Sequence, residues 1–89
     1  MSAVKRHLTK PLLAFWVGDY DIYAAMDEAQ ALRLAVAIAG PDTYTLDDVA
    51  AVSVETLDSK LRDDEGLVWT LREVLKGARK PGYLAGYER

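Results

Sequence analysis

The 89-residue chain has no cysteine, one histidine, one phenylalanine and only three prolines. Without a thiol, a disulfide framework and a cysteine-ligated zinc or iron–sulfur centre are excluded, so packing alone must hold the fold. The single histidine, His7, lies near the start, and Ser2, Ser53 and Ser59 sit in no G-x-S-x-G motif. No pair of nucleophile and base is therefore in view, and the expectation is a protein that is not an enzyme. Neither G-x-G-x-x-G nor a P-loop occurs, and the six glycines are scattered at element ends. The apolar run that follows the basic start covers only residues 12–17. A membrane span needs about 20 residues and a secretory core at least about 7, so the reading is cytoplasmic, with no membrane contact.

Carboxylates are the plentiful chemistry, but their spacing does not suit metal ligation. Asp19 and Asp21 form D-x-D, but Tyr23 stands where a calcium loop needs its third oxygen, and the required glycine and closing glutamate are missing. Asp47-Asp48 and Asp63-Asp64-Glu65 are neighbours in sequence that read as loop and helix-start acids. No metal and no cofactor is expected.

Charge is laid out unevenly. Residues 19–65 hold twelve acids against Arg33, Lys60 and Arg62, a net −9, while residues 1–18 and 66–89 each carry +3. Acids collect in loops and at helix starts in any soluble protein, but an asymmetry this steep also bears on partners. The basic ends, with Arg79 and Lys80 beside Tyr83 and Tyr87, could grip a nucleic acid. An isoelectric point near 5.0 opposes that reading, because such binding draws on a strongly basic domain.

With 51% apolar residues the chain can build one core. The reading is a basic tail over residues 1–10 and a single α+β domain over 11–89. Residues 12–17 and 20–25 flank Gly18-Asp19, a hairpin with a two-residue type II′ turn. The first strand is apolar on both faces, so it either lies centrally or turns one side to a partner. Asp27 and Gln30 open a helix over 28–39, stopped by Gly40-Pro41. Its apolar face is Leu32, Ala35, Val36 and Ala39, widened by Ala31, Leu34 and Ile38. A short strand within 49–53, a weak helical turn capped by Ser53 and running on to Leu61, and a strand over 67–69 follow. Thr70-Leu71-Arg72-Glu73 is a second capping box, ending near Gly77, and after Pro81-Gly82 a last strand aligns Tyr83, Ala85 and Tyr87 on one face. The expected fold is a small antiparallel sheet, the N-terminal hairpin plus later strands, covered on one face by two main helices.

The segments Phe15-Trp16-Val17-Gly18-Asp19-Tyr20-Asp21-Ile22-Tyr23-Ala24-Ala25, Thr70-Leu71-Arg72-Glu73 and Pro81-Gly82-Tyr83-Leu84-Ala85 resemble small proteins of phages and prophages, over about half the chain. Some proteins of that kind are anti-CRISPR inhibitors, which cover a surface of a CRISPR–Cas effector and have no active site. The shared motifs are caps and turns, so no functional residue carries over. The resemblance implies a compact inhibitor that binds a host protein in the host cytoplasm, possible partners including a CRISPR–Cas effector subunit. The residues expected to meet that partner are Asp19, Tyr20, Asp21, Tyr23, Asp47, Asp48, Asp63, Asp64 and Glu65, acids with aromatic anchors set against a cationic surface. The alternative is a homo-oligomeric structural or accessory protein, a homodimer joined through the very apolar helix or an open sheet face.

Overall fold

The computed structural model describes residues 11–62 and 64–86. The tail expected over 1–10, Asp63 and Tyr87 lie outside the described residues. The chain runs β1 (Leu13–Val17), β2 (Asp21–Ala25), α1 (Glu28–Ala39), a 3₁₀ turn (Leu46–Asp48), β3 (Val49–Ala51), α2 (Val54–Leu57), β4 (Lys60–Arg62), β5 (Val68–Thr70), α3 (Leu71–Gly77) and β6 (Gly82–Gly86). The α+β class expected from the sequence is the one observed. Four strands make an antiparallel sheet in the order β3-β1-β2-β6, and β4 and β5 form a separate hairpin.

β1 lies between β3 and β2, the central placement that its two apolar faces allow. Phe15 and Val17 point to one side, where they pack with Tyr23, Ala25, Val49 and the α1 residues Ala31 and Ala35. Ala14 and Trp16 point to the other, against Ile22, Val52 and Leu71. Here the structure departs from expectation. The two main helices do not share a face: α1 covers one side, while α3, with α2 and Leu61 of β4, covers the other. A central strand without polar positions demands cover on both sides, and the chain supplies it from both flanks. Ile22 and Leu71 are fully buried, each worth about 1.5–3 kcal/mol relative to an exposed side chain.

The helix limits follow from local chemistry. The Asp27 carboxylate accepts from the Gln30 amide at 2.8 Å, and the Gln30 side chain accepts from the Met26 amide at 2.7 Å. At α3, the Thr70 hydroxyl accepts from the Glu73 amide and the Glu73 carboxylate from the Thr70 amide, the reciprocal box read from the sequence. The helical turn after Ser53 stops at Leu57, and Leu61 belongs instead to β4, opposite Trp69. In β6 the register slips: Ile22 faces Ala85, but Tyr23 faces Tyr83, leaving Leu84 as the extra residue of a bulge. Strict alternation is broken there. Ala85 packs on the α3 side of the sheet, while Tyr83 meets Tyr23 on the α1 side.

Candidate functional site

Three segments distant in sequence meet at one end of the main sheet. The β1–β2 connection is three residues long, Gly18, Asp19 and Tyr20, with Val17 opposite Asp21. It is thus one residue longer than the expected type II′ turn, although Gly18 does take the positive φ, at 79°. That conformation favours glycine, and a Cβ at Gly18 would lie 2.9 Å from the Tyr44 ring and push it aside. The Gly18 amide donates to the Asp48 carbonyl at 3.0 Å, and Val17 faces Val49, which fixes the 3₁₀ turn beside the hairpin tip. Asp21 opens β2 and faces Gly86 at the end of β6. Asp19, Tyr20, Asp21, Asp47 and Asp48 are thereby brought to the same end.

Asp19, Asp47, Asp48 and Tyr20 are exposed, Tyr20 by 60%. Asp48 also has a structural task, since its carboxylate accepts from the Thr45 amide at 2.8 Å and closes the 3₁₀ turn. Tyr23 corrects the sequence reading. Only 4% exposed, it belongs to the core beneath α1 and cannot be a surface anchor. Trp16, equally buried, is core as well. Asp64 and Glu65 are exposed but sit in the turn between β4 and β5, apart from the sheet-end group in the chain's connectivity. Asp63 lies outside the described residues.

Two participants at the sheet end are not among the partner-facing residues expected from the sequence. Tyr83 donates its hydroxyl to Asp21 Oδ1 at 3.2 Å, and its ring stands at 81° to that of Tyr23 with centroids 5.3 Å apart. Tyr44 packs against the same core group. Burial raises the Tyr23 hydroxyl above its ordinary pKa, and the charge of Asp21 adds to this. Tyr83 is likewise raised, by burial first and then by its hydrogen bond to Asp21. Nothing local could have revealed the Asp21–Tyr83 pair, because 62 residues separate its members.

Elsewhere, Arg72 holds Asp58 through two hydrogen bonds of 2.6 and 3.2 Å, tying α3 to the end of α2 and lowering the Asp58 carboxyl pKa. Between α3 and β6 lies an open groove of about 340 Å³ whose charged lining is Arg79 and Lys80, with Tyr83 at its margin. Among the described residues no three of histidine, aspartate and glutamate are grouped so as to hold a metal ion, and no helix is long and apolar enough to cross a membrane. Comparison with protein-family models, with curated proteins and with solved structures finds no match to this chain.

Proposed function

We propose that the protein is a non-enzymatic binding protein, an inhibitor of the phage anti-CRISPR kind, whose acidic sheet end covers a cationic surface of a host protein such as a CRISPR–Cas effector subunit. The observation that carries this reading is the convergence of Asp19, Asp21, Asp47 and Asp48 with the exposed Tyr20 ring on one rigidly paired end. Acids spread along thirty residues of sequence become one electronegative patch. Such a patch matches in sign the nucleic acid that a host nuclease or surveillance complex holds in a groove of lysines and arginines, so it competes for the same cations and speeds encounter.

The test is a plaquing assay on bacteria immune to an infecting phage through CRISPR, with and without the protein. Efficiency should rise by at least about tenfold against a susceptible CRISPR type, a modest demand given the 1.4 kcal/mol that tenfold represents. A variant with Asp19, Asp47 and Asp48 changed to lysine, shown to be folded, should lose the effect. No rise against any CRISPR type, or full activity of the folded triple variant, sinks the reading.

A further inference from the structure

We infer that Asp21 and Tyr83, floored by Tyr23, form a notch that holds a single arginine guanidinium of the partner protein. The inference deepens the proposed binding surface and rests on it, naming the partner side chain that anchors there.

Four observations point to a planar cation. First, Asp21 engages Oδ1 with the Tyr83 hydroxyl, while Oδ2 accepts no hydrogen bond among the described residues, leaving a carboxylate edge open to a guanidinium fork. Second, Tyr83 is 50% exposed although its ring packs edge-to-face with Tyr23, so part of the ring, which also borders the groove of Arg79 and Lys80, stays open to stacking. Third, Tyr23 is 96% removed from solvent, yet its hydroxyl makes no hydrogen bond among the described residues. Asp21 and Tyr83 lie close enough to act on that hydroxyl electrostatically, so a phenol oxygen without a donor among the described residues stands beside the pair. Fourth, Gly86 lies directly across from Asp21, and a Cβ there would come within 3.0 Å of the Tyr83 hydroxyl and 3.8 Å of Asp21 Oδ1. The missing side chain keeps the carboxylate and the phenol uncovered.

Arginine fits these four features better than other cations. An ammonium group would use the carboxylate as a point charge and leave the ring face idle, and a quaternary ammonium could use the ring but not the fork. Asp19, Asp47 and Asp48 at the same end add a field that draws a cation in and turns anions away.

The experiment is an NMR titration of the ¹⁵N-labelled full chain with N-acetyl-arginine amide, N-acetyl-lysine amide and tetramethylammonium chloride in parallel. The expected result is saturable shifts at the amides of Asp21, Tyr83 and Gly86 with arginine, at affinities about threefold or more above lysine and about tenfold above tetramethylammonium. Asp21→Asn should weaken arginine by about tenfold, which one charge-assisted pair accounts for. Gly86→Val leaves the carboxylate in place and should give a comparable loss by filling the notch. Linear, non-saturating shifts overturn the inference, as does arginine binding unchanged in either folded variant, or tetramethylammonium binding as tightly as arginine. The two readings fail separately. A chain that takes no arginine but rescues plaquing through Asp19, Asp47 and Asp48 keeps its acidic surface and loses the notch. One that binds arginine through Asp21 but never changes plaquing keeps the notch and loses the inhibitor role.

Discussion

At the scale of single residues the sheet end is governed by tyrosines whose neutral form the fold protects. Tyr23 and Tyr83 are both raised above 10.0, first by burial and then through Asp21, because ionising a phenol would place a second negative charge beside that carboxylate. The sign of the stability effect follows. A group whose folded pKa exceeds its unfolded value contributes stability that is fully present below the unfolded value and lost as pH rises through the folded one. The protein should therefore hold its full stability below pH 10.0 with respect to these two groups and lose some of it above. Tyrosinate absorbance should rise at higher pH in the folded chain than in the chain unfolded in urea, and Asp21→Asn should narrow the gap. Superimposable folded and unfolded titrations would contradict the environment described for this pair.

At the scale of elements, α1 shows what could and could not be read in the sequence. Its limits were legible, since Asp27, Gln30 and Gly40-Pro41 act within one turn of the helix ends. The α3 box was legible for the same reason. Which stripe of α1 meets the sheet was not, because its residues are apolar nearly all round. The stripe expected at its centre was Leu32, Ala35, Val36 and Ala39, yet the residues fully buried are Ala31 and Ala35, and Ala39 and Ile38 are exposed. Phe15 and Tyr23 rise from the sheet at that point, and only a methyl side chain lets the helix backbone settle over two large rings. β4 was missed because Lys60-Leu61-Arg62 has one apolar residue, and its strand character comes from pairing with Val68, Trp69 and Thr70. The bulge at Leu84 was likewise hidden, being a property of the pairing with β2 and not of β6 alone. The close approach of α1 has a measurable consequence. Ala35→Leu should overpack the interface and destabilise the fold by about 1–3 kcal/mol, while Ala37→Leu, on the exposed side, should stay within about 0.5 kcal/mol. Urea denaturation of the two variants checks this, and equal stability would mean that the sheet is not where the helix rests.

At the scale of the whole molecule, cover and charge divide the work. Among the described residues both faces of the central strands carry cover, α1 on one side and α3, α2 and β4 on the other. The sheet's edges are guarded too: β3 has three residues, and β6 is bulged and preceded by Lys80-Pro81, features that discourage strand addition. The outside is acidic at the β1–β2 end and cationic around Arg79 and Lys80, with exposed apolar side chains such as Ile38, Leu46 and Val54 elsewhere. The two charged regions differ in sign and in place, so under the proposed function a cationic target should be met in one orientation, steered by the acidic end. Steering of this kind acts on the association rate and is screened over a Debye length of about 10 Å at 0.1 M salt. With the target in hand, raising salt from about 0.05 to 0.5 M should slow association by at least about tenfold while dissociation changes much less, as read by surface plasmon resonance. The variant with Asp19, Asp47 and Asp48 replaced by lysine should lose that salt dependence together with its fast association. An association rate indifferent to salt in the unaltered chain would show that the acidic end does not guide the encounter, whatever contacts form after it.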